Sequence, residues 1–497
     1  MTGHVQVGLA GLLGETPEPS ARARLRALGA ELAPARWVPG AGAVVARTLR
    51  RRRLRHALEA VHAGVDLVLP GDVPRDGAWP RSADPRALAR LSRALWAGQV
   101  ASVRSDDTVA RALAARAREL SEPLDAPRSA SLDPARPHRV AHVVHTRLPA
   151  VRSGYTLRTR AVLAALEAGG LPGTLHALSD LPATGHASLD AHVDALAEAL
   201  ASQLPPDTTA LHAASNWLVG LVALRAGARL GLPVTYEARG LWEVTHASLV
   251  PGYGRTPAYR FQSAMEARVA RGSAHAFAIC PDVADALRAR ESEIGSIGIL
   301  PNGAEACPVE PRPDAAVVRI AYAGALVAYE GVGELLSALA RLRADGHGCT
   351  LDIAGSGPEA SRLQRRAARL GMGDGVTFHG PLPPERSAEL VRAADIVVLA
   401  RRDLAVCRMV EPLKPLEAMA AGAALVVTPL APLARLGPAV VADGFGARDL
   451  ARALEPLVAD RPRLDKLRRR SRDWVADHRS WAQAVAPLLQ TYGVERP

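Results

Sequence analysis

Short runs of apolar residues recur along this chain, separated by longer stretches in which Ala, Leu and Val return at helical spacing. RVAHVVH (139–145), TLHALS (174–179), TALHAAS (209–215), LPVTYEA (232–238) and HAFAIC (275–280) form one series, closed by SIGILPNG (296–303). VVRIAYAG (317–324), CTLDIAG (349–355), GVTFHG (375–380), ADIVVLA (394–400) and ALVVTPL (424–430) form a second. A strand covered on both faces needs an apolar run of this kind. Strands alternating with helices, the first helix spanning about 155–168, predict parallel sheets with helices on both sides. The fold class expected is therefore α/β, with two Rossmann-like parallel-sheet domains facing a cleft.

The boundaries follow from composition. Residues 121–138, rich in Pro, Ser and Asp, read as a linker, and CPVEPRPDAA (307–316) reads as a hinge. This divides the chain into an accessory domain (1–120), a first sheet domain (139–308), a second (309–470) and a C-terminal helix (471–497). The accessory block is α/β or mostly helical, with strand candidates HVQVGLAGLL and VDLVLPGD; its role stays open. Its Arg50, Arg51, Arg52, Arg53 and Arg55 read as a solvated helix face, with phosphate binding as the second reading. The C-terminal DKLRRRSRDWVADHRSWAQAVAPLLQTYG is a basic amphipathic helix pair, expected to pack back across the domains, with membrane contact as its alternative.

Net charge is +11, which permits an anionic partner. Only Lys414 and Lys466 among the 61 basic residues are lysine, however, so the Arg excess reads first as codon bias. The four cysteines form no CxxC and suggest neither a zinc site nor a disulfide framework. The N-terminus lacks the basic start of a signal peptide, and no long uncharged apolar stretch occurs. The expected location is the cytoplasm, with peripheral contact at the inner membrane face left open. No nucleic-acid partner is expected, and oligomeric state is undetermined.

Chemistry concentrates in EPLKPLEAMAAG (411–422). Pro412 suits a first helical turn and Gly422 suits the end. A helix start offers free N–H groups and partial positive charge to a diphosphate. Lys414 adds a full charge there, and Glu417, one turn on, can accept hydrogen bonds from ribose hydroxyls. On the other side Gly154 allows close backbone approach at a helix start, with Ser153 and Arg158 as acceptor or phosphate contacts. Glu237 and Arg239, at a strand end, can position an acceptor and take its proton, or form a structural ion pair. His145 and His212 read as core or rim histidines, and His246 is a minor candidate. No DxD string for a divalent metal is present, so no metal or cofactor is expected.

The string PLKPLEAMAAG, followed by a strand ending near Thr428 and Pro429, resembles the donor-binding segment of glycosyltransferase family 4. IAYAGALVAYEGVGELLSAL, LDIAGSGPE, VTFHGPLPPE, ILPNGAE, RSGYTLRTRAVLAALEAGG and VTYEARGLWE resemble further family segments in matching order, covering about 139–495. The resemblance implies a GT-B fold and retaining transfer of a sugar, without metal, from a nucleoside-diphosphate sugar. The acceptor is a small molecule, glycan or lipid-linked group, in cell-envelope or natural-product glycosylation. Donor contacts carried over are Gly324, Gly355, Gly357, His379, Gly380, Glu411, Leu413, Lys414 and Glu417. Glu237, Arg239, Lys414 and Glu417 are carried over as catalytic.

Three departures stand out. The family's first acidic position is Met409, for which nearby Glu411 can substitute, and its usual basic pair falls at Ala325 and Glu330. The diphosphate then depends on Lys414 and its helix start, with Arg401, Arg402 or Arg408 in support. A subgroup carries the YEG and PLKPLE strings together. The alternatives are a sugar-nucleotide epimerase on the same fold and a catalytically degenerate binding or scaffold protein.

Overall fold

A computed structural model describes residues 123–494, apart from 137, 147, 149–153, 182–188, 250–252, 256 and 309–316. The readings made for 1–120, the arginine run included, and the contact assigned to Ser153 lie outside the described residues.

Two six-stranded sheets are present among them. The first contains β1 (Val140–Val144), β2 (Gly173–Ala177), β3 (Ala210–Ala214), β4 (Val234–Ala238), β5 (His275–Ala278) and β6 (Ile297–Ile299), in the order β2-β1-β3-β4-β5-β6. The second contains β7 (Val318–Ala323), β8 (Cys349–Ala354), β9 (Val376–Gly380), β10 (Ile396–Leu399), β11 (Ala424–Val427) and β12 (Val440–Val441), in the order β12-β11-β10-β7-β8-β9. The registers of β1 with β2 and β3, and of β7 with β8 and β10, are parallel. Every residue of β1, β3, β4, β10 and β11 is buried; β10 and β11 are unbroken apolar runs, while β1, β3 and β4 also bury His142, His212, Thr235 and Glu237. Only β12, two residues long, has no counterpart in the sequence reading.

Helices fill the connections. The Trp217–Leu230 helix starts on Asn216, whose side chain accepts the Leu218 N–H, and stops at left-handed Gly231. The core of the second sheet joins Ile320, Ile353 and Val398 to Leu335 and Leu339 of the Val332–Ala344 helix. The expected linker is tied down where it is described: the Ser129 N–H reaches Gly272 O at 2.8 Å and its hydroxyl takes the Val234 N–H at 2.7 Å.

The chain groups into two compact bodies, the second made of 153–171, 278–284 and 298–497. This differs from a boundary near 308. The Gly154–Ala168 helix packs on the C-terminal Trp481–Thr491 helix, where Gly169 lies against Leu489. The C-terminal helices thus belong to the second body, and the Arg461–His478 helix buries Leu464, Arg468, Ser471 and Val475.

Candidate functional site

In the second sheet the strand order reverses between β7 and β10. Open α/β sheets bind ligands beyond the carboxyl ends of the strands at such a point. A cavity of about 490 Å³ lies there, lined by Tyr322 and Ala323 of β7, Val397 and Leu399 of β10, and Leu413, Lys414 and Glu417. The Pro384–Ala393 helix, the loop at 303–307, Leu157, Ala161 and Trp481 also contribute to its mostly apolar wall.

The Lys414–Ala420 helix sets the polar part of that wall. Its start is shifted from expectation: Pro412 lies outside, and Pro415 takes the first turn, where its missing N–H costs nothing. The turn of chain between Lys414 and Glu417 places both on the cavity side, while Leu416, Met419 and Ala420 are buried. The helix is seven residues long, so the charge available to a ligand rests on Lys414 more than on a helix dipole.

Lys414 has a defined position. Its Nζ lies 3.1 Å from Glu330 Oε2, 3.3 Å from the Tyr322 hydroxyl and 5.1 Å from the centre of that ring. Gly324 leaves room for it: at a φ of +155° a side chain is disfavoured, and a Cβ there would overlap Lys414 Cε and Nζ. Burial lowers the lysine pKa, and Arg401 adds to this, while Glu330 opposes both. Glu330 is 2% exposed and bonds Arg401 Nη2 at 2.9 Å. Burial alone would raise its pKa, but Lys414 and Arg401 pull it down to about 2. Glu417 is exposed to the cavity, and its concave surroundings raise its carboxyl above the usual range, with Lys414 opposing.

Gly355, at a φ of +138°, lets the loops after β7 and β8 touch, since a Cβ would overlap Gly324 O. Gly357 packs in the same way on Leu326 O. His379 is half-exposed and pairs with Asp352 across β8 and β9 at 2.6 Å. His379 and Gly380 are not among the cavity residues.

Several expected contacts have other employment. Glu411 does not replace the carboxylate missing at Met409: it is 3% exposed and holds Arg479 through both oxygens, at 3.0 and 3.1 Å. Arg158 is 2% exposed, and its guanidinium donates to Leu300 O, Pro301 O and Asn302 Oδ1 at 2.7–3.0 Å. It ties a helix to a loop rather than facing an acceptor. Gly154 is the first helical residue, and a Cβ there would meet only Leu413 Cδ1 at 3.8 Å, so crowding does not demand a glycine. Arg401 is taken by Glu330, Arg408 by Asp403, and Arg402 lies 3.8 Å from Glu334.

In the first body, Glu237 is fully buried on β4, 2.7 Å from Arg239 Nε and 3.5 Å from His212 Nε2. A carboxylate so enclosed is a structural partner and not an open acceptor base. Burial also drives His142, beside His212, well below the usual histidine pKa. Nearby, Glu266 accepts from Trp217 N–H and the Tyr236 hydroxyl; burial, reinforced by Glu243, raises its pKa to about 8. His246 is lowered by burial. Among the described residues no group of three or more His, Cys, Asp or Glu is placed to hold a metal ion, and no helix is long and apolar enough to cross a membrane.

Sequence reasoning treated Glu330 only as a lost positive charge and did not select Tyr322. The available signal was the joint occurrence of YEG and PLKPLE, which the Glu330–Lys414 pair now links physically.

Comparison with known proteins fits this arrangement. The profile described as "Glycosyl transferases group 1" matches residues 314–474, and that described as "Glycosyl transferase 4-like domain" matches 135–303. D-inositol 3-phosphate glycosyltransferases of Nocardia farcinica and Rhodococcus jostii are 28% identical over 318 and 301 residues. Those stretches cover 59% and 56% of this chain and 68% and 64% of the relatives, about two thirds of their length. Among solved structures, sucrose-phosphate synthase from Thermosynechococcus elongatus superposes with a TM-score of 0.57 at 18% identity, covering 71% of this chain and 98% of the other. Anabaena HepE in complex with UDP-glucose gives 0.55 at 14% identity, covering 71% and 100%. At these identities the likeness speaks for the fold. The two sheets and the solved neighbours define a GT-B fold, and the two profiles with the D-inositol 3-phosphate glycosyltransferase relatives point to a glycosyltransferase. The two profiles and the inositol-phosphate relatives support family 4.

Proposed function

We propose that this chain transfers a sugar from a nucleoside-diphosphate sugar to an acceptor, with the donor on the second body. The observation that carries this reading is Lys414, an ammonium held at the wall of the cavity where β7 and β10 diverge. A donor diphosphate meets that charge, and Glu417 accepts hydrogen bonds from the ribose. As the sugar departs, negative charge grows on the diphosphate, and a cation already in position stabilises it without reorganisation. No metal takes part in this scheme, and the anomeric configuration is retained. The PLKPLE subgroup supplies the lysine that the missing basic pair would otherwise provide. The acceptor contacts lie on the first body, with Glu237 in a supporting role only.

A thermal-shift screen against nucleotide sugars tests the donor claim, because stabilisation grows with ligand concentration over dissociation constant. One donor raising Tm above the rest is the expected result; a flat panel overturns it. Product anomers read by NMR test retention. A second reading, a sugar-nucleotide binder without turnover, is favoured by Met409 together with the engagement of Glu411 by Arg479. Donor stabilisation with neither hydrolysis nor transfer selects it.

A further inference from the structure

A lysine at the start of a helix ordinarily extends into water and samples many rotamers. Lys414 is instead confined. Its side chain is 26% exposed, lies over the Tyr322 ring and occupies the space left by Gly324. Glu330 supplies the charge that holds it. This residue ends the short Ala328–Glu330 turn, and the next, left-handed Gly331 is pressed so closely to Ala400 O that a Cβ would overlap it. The turn is thereby fixed at the end of β10, and with it the carboxylate. One oxygen takes Arg401 and the other Lys414. Arg401 has a further acceptor in Val410 O at 3.3 Å, whereas the ammonium also faces the cavity.

We propose that Glu330 is a positioning residue that keeps the Lys414 ammonium charged and aimed into the cavity for a diphosphate. The proposal rests on the reading of Lys414 as a donor contact. Glu330, Lys414 and Arg401 together carry one net positive charge; Glu417 on the same cavity wall opposes it when ionised, and burial raises the pKa of that carboxyl. The groups that act on Lys414 are Glu330, the Tyr322 hydroxyl, Arg401 and Glu417. Cys407 also feels its charge. Of the two carboxylates, Glu330 is the one in contact.

The chain has only two lysines, which makes a direct test practical. Full-length protein carrying ¹³Cε-lysine gives two resonances, with exposed Lys466 as the internal control. Both are followed against pH in wild type, Glu330→Gln and Glu330→Asp. The Lys414 midpoint is expected about 1–3 pH units lower in Glu330→Gln, the usual worth of an adjacent opposite charge. It is expected to fall between the two in Glu330→Asp, while Lys466 stays put. An unchanged Lys414 midpoint in either variant overturns the proposal, so the aspartate serves if the glutamine variant does not fold.

Inorganic pyrophosphate is then titrated at neutral pH. The Lys414 resonance is expected to shift in wild type, with about tenfold weaker binding in Glu330→Gln. Equal or tighter binding in that variant makes Glu330 a mere repelling charge and defeats its positioning role. If pyrophosphate leaves wild-type Lys414 unmoved while the variant midpoints still fall, the donor reading fails and the Glu330–Lys414 coupling stands.

Discussion

Glu237 and Glu330 are both buried carboxylates bonded to an arginine, one in each body, yet their surroundings differ in one decisive respect. Glu237 has Arg239 at 2.7 Å and His212 behind it, and the cluster is enclosed. Glu330 has Arg401 at 2.9 Å and a second cation, Lys414, that reaches a cavity. A matched pair in a closed site has its charge satisfied and serves the fold. A carboxylate with one cation too many directs the surplus at whatever enters. Glu237 and Lys414 both carried a catalytic expectation from the sequence, and burial separates them.

The sharpest way to break this contrast is to remove Glu237. Glu237→Ala should destabilise the protein by about 3–5 kcal/mol, the cost of leaving a buried charge without its partner. Denaturant unfolding measures this, and pyrophosphate binding by the folded fraction should be preserved; a stable variant that has lost transfer would restore Glu237 as a base. Lys414→Ala should act on transfer, lowering kcat/KM by about 2–4 kcal/mol of transition-state stabilisation, and should also lower Tm because the buried Glu330 loses one of its two cations. Normal turnover in that variant removes the proposed role of Lys414. Glu417→Gln should weaken nucleotide-sugar binding by about 1.5–3 kcal/mol, as for a hydrogen bond to a charged group. Calorimetry with the donor found in the screen provides the check.

A further contrast lies in pH dependence, where the two bodies should differ in sign. Glu330, with a folded pKa of about 2 against a usual 4.5, adds stability above pH 4.5 that is lost as pH falls toward 2. Glu266, with a folded pKa of about 8, adds stability below pH 4.5 that is lost as pH rises through 8. Unfolding curves across pH should lose the contribution between about pH 2 and 4.5 in Glu330→Gln and that between pH 4.5 and about 8 in Glu266→Gln. Unaltered slopes would show that neither group carries the linkage.

Most of the architecture was legible because strands buried on both faces leave unbroken apolar runs such as IVVL and ALVV. The two-residue β12 was too short to leave such a trace. The first helical turn was assigned to Pro412, whereas Pro415 occupies it, because the helix starts only at Lys414. The candidate site was legible to the extent that Lys414 and Glu417, close neighbours in sequence, do line one cavity. It was misread where the deciding partner is distant: Glu411 is claimed by Arg479, and Arg158 by the loop at 300–302. Glu330 counted as a deficit because its residue type was visible and its contact with Lys414 was not.

The packing of the Gly154–Ala168 helix on the Trp481–Thr491 helix also constrains how the protein is made. The earlier helix leaves the ribosome long before the later one exists. The part of its surface that the later helix covers, with Gly169 against Leu489 beside it, must wait uncovered or be sheltered by a chaperone during translation. Completion of the second body is thus a late event in biosynthesis, and a nascent chain stalled before residue 481 would present that surface to the quality-control machinery.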